Sequence, residues 1–152
     1  MKNPLTLSNT ILNIARSYNI SITPMKLQKL LYFIYKKYIQ ITKQPLFAER
    51  FEVWQFGPVL KNVYMAFNHY GNTPIKEFYK DSNDDVYVVN IDSDPNLKEA
   101  FEYVWDKYRE YDAITLSELT HLDNTAWSIA KNNNYGVLKD EDIQQEKWFA
   151  KS

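Results

Sequence analysis

The stretch TPMKLQKLLYFIYKKYIQI, residues 23–41, carries the strongest structural signal in the chain. Thr23 can accept a hydrogen bond from a backbone N–H one turn on. Pro24 suits the first helical position, where its missing N–H would have had no partner. At 100° per residue, Leu27, Leu30, Leu31, Ile34, Tyr38 and Ile41 fall in one stripe, about 100° wide, as a core-facing helix requires. Pro45 stands just beyond the end, where it cannot continue a helix. On the opposite face, Lys29, Lys36 and Lys43 recur every seven residues, with Lys26 and Lys37 flanking them and Tyr32 and Phe33 between. That face reads first as solvated, its two aromatics packing on a second layer. A surface for an acidic protein patch comes next. Nucleic-acid binding by charge and stacking comes last, because the chain as a whole is not basic and shows no nucleic-acid motif.

Working outward, the pattern predicts a helix from about Leu7 to Tyr18 with Thr6 as its N-cap. After the central helix, Phe51 to Phe56 is rich in aromatic and β-favouring residues and ends at Gly57-Pro58, which predicts a short strand. Pro58 is expected to open a third helix, with Val59, Val63, Ala66, Phe67 and Tyr70 on one side and Gly71 closing it. Val86 to Ile91 reads as a second strand, paired with Phe51 to Gln55. A long helix is expected from about Pro95 to Tyr111. Thr115-Leu-Ser-Glu118 forms a capping-box pattern for a short one, and Thr125 can cap the next, which holds Trp127 and Ile129. Asn132 to Gly136 reads as a turn, and Asp140 opens a last helix containing Ile143, Trp148 and Phe149. The expected fold is mostly α: one compact multi-helix domain over residues 1–152, with a small two- or three-stranded β element beside the helices.

The 152 residues can bury roughly 70% of the unfolded surface. Aromatics make up 16% of them, enough to fill a packed core, a contact surface, or both. Only three Gly are present, which argues against Gly-rich phosphate loops. The absence of Cys removes disulfides, thiolate metal sites and Cys nucleophiles together. The N-terminus lacks a signal-peptide pattern, and no apolar run approaches the ~20 residues of a membrane span. A cytoplasmic protein is expected. Net charge is −1, unevenly spread: residues 1–76 hold ten Lys/Arg against two acids, and residues 77–152 hold eight against seventeen. The halves are expected to pack together and offset each other, although such asymmetry also fits a charged partner.

Catalytic apparatus is not found. His69 and His121 are far apart in sequence, no HExxH or calcium-loop pattern exists, and Asp81, Asp84 and Asp85 read as a solvated acidic turn. No Gly-x-Ser-x-Gly elbow, P-loop or dinucleotide fingerprint is present. His121 beside Asp123, or with Glu118, is the one hint of an acid/base pair, and capping or packing explains it as well. No metal, cofactor or enzymatic activity is expected.

Several stretches read together in order: Met25 to Tyr32 after Thr23-Pro24, Gln44 to Phe47, Glu52-Val-Trp-Gln-Phe-Gly-Pro-Val59, Val63-Tyr64, Tyr70-Gly71, Leu119-Thr-His121 and Trp127. In that spacing, from about Leu7 to Ile143, the chain resembles the Panacea domain of SocA-like antitoxins and phage-associated GepA-like proteins. Asp140 to Ile143 is similar to the start of the family's last helix. The resemblance implies neutralisation of a cognate toxin encoded by a neighbouring gene, usually by direct binding. One branch instead hands its toxin to a protease, so a proteolytic adaptor is the alternative. Many members carry a further DNA-binding segment. The single domain read here gives no ground for transcriptional self-repression. The family brings no catalytic residues with it. The polar or exposed residues among the matching positions are the candidates for partner binding: Lys26, Gln28, Lys29, Tyr32, Trp54, Gln55, Tyr64, Thr120 and His121.

Overall fold

A computed structural model describes residues 1–151. Among these, seven α-helices and one β-hairpin form in the order α1 (Pro4–Ser17), α2 (Pro24–Thr42), β1 (Glu52–Trp54), β2 (Gly57–Val59), α3 (Lys61–Phe67), α4 (Pro95–Tyr108), α5 (Ala113–Thr120), α6 (Ala126–Asn132) and α7 (Asp140–Gln145). The mostly helical architecture with a small β element is the one expected. No helix among the described residues is long and apolar enough to cross a membrane.

Local chemistry sets most boundaries. Thr23 Oγ1 accepts from the Lys26 N–H and Pro24 sits in the first turn of α2, while Lys43 ends it in a left-handed conformation. Thr125 caps α6 through the Ser128 N–H, as expected. Elsewhere an earlier residue wins. α1 is capped by Asn3, whose Oδ1 accepts from the Leu5 N–H at 2.8 Å, and Pro4 follows; Thr6 lies inside the helix. α5 is capped by Asp112, which accepts from the Thr115 N–H at 2.8 Å, so the box at Thr115 is internal. Asp94 caps α4, which ends at Tyr108, three residues short of the expected Tyr111.

Three further expectations are corrected, two of them near the sheet. Gly57-Pro58 does not open a helix: it begins β2, which pairs antiparallel with β1 in the register Glu52↔Val59, Val53↔Pro58, Trp54↔Gly57. α3 starts at Lys61. Gly57 has φ +114°, and a Cβ there would lie 2.6 Å from Thr120 Oγ1 and 2.9 Å from Lys29 Cε, so only glycine fits this hairpin corner. Val86 to Asn90 is not a strand, because β1 has no edge left. Its other side takes residues 136–138, through Val53 N–H to the Gly136 carbonyl and Leu138 N–H to the Phe51 carbonyl. The 79–89 segment instead lies on α1, where Asn9 bonds the Tyr79 and Tyr87 carbonyls and Thr10 accepts from the Val89 N–H. The third correction is at the C-terminus. Trp148 and Phe149 fall outside α7, in an irregular tail.

α2 runs through the middle of the molecule. Every residue from Lys26 to Lys36 is buried. Its expected stripe packs with Leu97, Phe101, Val104 and Tyr108 of α4 in one core cluster that also takes in Leu116, Trp127 and Ile143. Around it the rings of Phe33, Tyr108 and Trp148 meet, as do those of Tyr32, Tyr35, Phe47 and Phe51.

Candidate functional site

The lysine face of α2 is not solvated. Lys29 is 1% exposed and Lys36 0%, so a strand-binding face made of Lys29, Lys36 and Lys43 does not exist in the folded chain, and neither does a patch there for an acidic protein. Tertiary packing overrides the amphipathic pattern by lining that face with backbone carbonyls. Lys26 Nζ donates to the Arg109 carbonyl at 2.6 Å and Lys29 Nζ to the Pro58 carbonyl at 2.9 Å. Gln28 exchanges two hydrogen bonds with the Leu60 backbone, at 2.9 and 3.0 Å. One helical turn further, Tyr32 donates to Glu146 Oε1, which also accepts from the Ala126 N–H, both at 2.7 Å. Lys36 stands 2.9 Å from Glu146 Oε2 and donates to the Lys147 carbonyl at 2.6 Å. Gln40 gathers the Ile143, Gln144 and Glu146 carbonyls and accepts from Trp148 Nε1. This polar row binds the hairpin and the C-terminal tail to the central helix.

Burial has electrostatic consequences. Desolvation disfavours the charged form of a base, and it lowers Lys29 to about 7. Burial likewise lowers Lys26 and Lys36, with nearby carboxylates pulling back the other way. Desolvation first, and then the Glu146 charge, raise the Tyr32 phenol well above its usual range.

The nine candidate contact residues therefore separate. Lys26, Gln28, Lys29, Tyr32 and Thr120 are buried and serve the interior. Trp54, Gln55, Tyr64 and His121 keep accessible surface. Trp54 packs its ring 4.7 Å from that of Tyr64 and accepts at its carbonyl from Trp127 Nε1 at 2.8 Å. His121 is tied down: Nδ1 lies 2.6 Å from the Ser117 carbonyl oxygen and Nε2 2.8 Å from that of Gln55, and its ring packs 4.0 Å from that of Trp127. Nδ1 also lies 3.3 Å from the Thr120 hydroxyl, which itself donates to the Ser117 carbonyl, and the two ring contacts to backbone carbonyls brace the hairpin turn against α5. Among the described residues no group of three or more His, Asp or Glu could hold a metal ion. The Asp81 carboxylate accepts from the Asn83 and Asp85 N–H groups, in a self-contained acidic turn.

Beside His121 lies an open groove of about 1140 Å³, lined by the α1–α2 connection, the hairpin turn, the α4–α5 connection, α5, and the residues that follow it. Three large apolar side chains stand exposed along it: Phe56, Ile114 and Leu122. The sequence pattern had not singled them out. Phe56 reads as the end of a strand, Ile114 lies in the first turn of a short helix and Leu122 lies two residues past its end, a signal too brief for any periodicity. The turn that carries Phe56 is fixed by Ser117, whose hydroxyl donates to the Phe56 carbonyl at 2.6 Å.

Residues 27–128 match the family model described as "Antitoxin SocA-like, Panacea domain". The chain is also 30% identical over 128 residues to the Antitoxin SocA of Caulobacter vibrioides, a match that covers 82% of this chain and 68% of that protein. No solved structure matches the chain.

Proposed function

The chain belongs to the SocA-like, Panacea-domain family of antitoxins, and from that premise we propose that it neutralises a cognate protein toxin, encoded by a neighbouring gene, by direct protein–protein contact. The observation that supports direct contact is the set of Phe56, Ile114 and Leu122, exposed along a groove whose rim carries Glu110, Asp112 and Glu118. Exposed apolar side chains gathered within a polar rim mark interaction surfaces. Trp54 and Tyr64 add aromatic surface on the neighbouring hairpin and α3. An antitoxin acts by regulating another protein, and the role needs no reaction of its own.

Co-expression with the small open reading frame beside its gene tests this, once that frame is shown to be toxic alone. Restored growth together with co-elution from a sizing column is the expected result. Restored growth without co-elution, accompanied by a shorter toxin half-life, would replace direct neutralisation with delivery to a protease. Absent rescue by a folded protein rejects both.

A further inference from the structure

We infer that the groove beside α5 seats a partner segment whose apolar side chains are flanked by Lys or Arg, a refinement that rests on the antitoxin reading above. At about 1140 Å³ the groove exceeds the roughly 300–1,000 Å³ typical of small-molecule pockets. A space of that size suits several side chains of a polypeptide, such as one face of an amphipathic helix. Its apolar anchors are well exposed, Ile114 at 66%, Phe56 at 54% and Leu122 at 39%. Their supports are rigid: Ser117 and His121 grip the turn carrying Phe56, and α5 with its Asp112 cap carries Ile114. A surface organised beforehand loses less entropy when it binds.

Charge selects the occupant. The exposed charged side chains of the groove are Glu110, Asp112 and Glu118. Its two cations are already engaged. Lys26 is buried, donates to the Arg109 carbonyl and offsets part of the Glu110 and Asp112 charge. Arg109 lies 3.2 Å from an Asp106 oxygen and 3.8 Å from one of Glu110. Three acids against two cations leave one net negative charge. The rim is therefore net negative and complements a basic-flanked segment. Nucleic acid has the wrong sign. A second copy of this chain, docked groove to groove about a two-fold axis, would set acid against acid.

Two labelled amphipathic peptides of about 18 residues, five helical turns, provide the test. Both carry the same Leu face, one with Lys/Arg and the other with Glu at the polar positions, and each is titrated with the full chain. The basic peptide should bind at least about tenfold more tightly, and added salt should weaken it. Ile114→Ser and Leu122→Ser should each cut that binding several-fold with the unfolding temperature unchanged, and Glu118→Gln should narrow the preference between the peptides. Equal affinity for the two peptides, or binding indifferent to Ile114→Ser and Leu122→Ser, would overturn the inference. So would a dimer, seen by light scattering, that Ile114→Ser dissociates. If growth rescue persists while the basic peptide fails to bind, the antitoxin reading stands and the toxin contact lies elsewhere. If the basic peptide binds while rescue is absent, the groove's preference stands and the antitoxin reading falls.

Discussion

Lys29 has a single hydrogen-bond acceptor, the Pro58 carbonyl, and burial alone brings its pKa down to about 7. The unfolded chain holds that proton up to an ordinary lysine pKa near 10.4. Between the two values the unfolded state binds more protons than the folded one, so stability rises with pH across this window. Below pH 7 both states are protonated and the full penalty applies. Urea unfolding of the wild type should show stability climbing from pH 7 towards 10, by up to about 1.4 kcal/mol per pH unit. Lys29→Met should remove most of the slope and leave a remainder of the same sign from Lys26 and Lys36. Above pH 10 the trend should reverse, because burial raises Tyr32, Tyr35 and Tyr108 and unfolded tyrosines ionise first. A flat profile, or an unchanged slope in Lys29→Met, would contradict this account. The lysine's position on α2 was legible in the heptad spacing. Its burial was not, since its acceptor comes from strand β2, 29 positions away.

Among the elements, the C-terminal tail has no regular structure and yet is tied along its length. Glu146 bonds Tyr32, Lys36 and the Ala126 N–H, Trp148 lies under the Lys36 ammonium at 4.1 Å, and the Phe149 carbonyl accepts from the Tyr108 hydroxyl. Both members of the Lys36–Glu146 pair are almost fully buried. Removing one partner of a buried pair leaves an uncompensated charge, at a cost of roughly 3–5 kcal/mol, whereas removing both can be nearly neutral. Glu146→Gln should therefore be strongly destabilising, with amide exchange protection lost first between residues 143 and 151. The double variant Lys36→Met, Glu146→Gln should recover much of the loss. A single-variant cost below about 1 kcal/mol would show the pair to be incidental. The pattern had placed Trp148 and Phe149 in a last helix because it counts apolar residues. The helix ends at Gln145 because Gln40 draws the carbonyls of its last turn to itself.

Across the whole molecule, the basic half and the acidic half interlock. α2 from the first half is wrapped by α4, α5 and α7 from the second, and Lys2 reaches Asp94 at 3.4 Å. Two ion pairs join the halves, Lys2 with Asp94 and Lys36 with Glu146, and the acid left at the surface includes the rim of the groove. Neither half keeps its core without the other. Fragments 1–76 and 77–152 should each be largely unfolded by circular dichroism, and mixing them should restore helicity. A fragment that shows a cooperative thermal transition alone would reveal an independent folding unit.

By itself the sequence determined the central helix with its stripe, the Thr23 and Thr125 caps, the mostly helical class, and the ordered motifs that identify the family. These are properties of residues within a turn or two of each other, or of their order along the chain. Only the tertiary structure decided that Gly57-Pro58 turns back into a strand, that the second face of α2 is interior, and that Phe56, Ile114 and Leu122 stand exposed while Lys29 and Lys36 do not. The reason is physical. Periodicity reports where apolar side chains lie, but a lysine or tyrosine is buried when a carbonyl or carboxylate arrives to meet it. For Lys29, Lys36 and Tyr32 those partners come from 29, 111 and 114 positions along the chain.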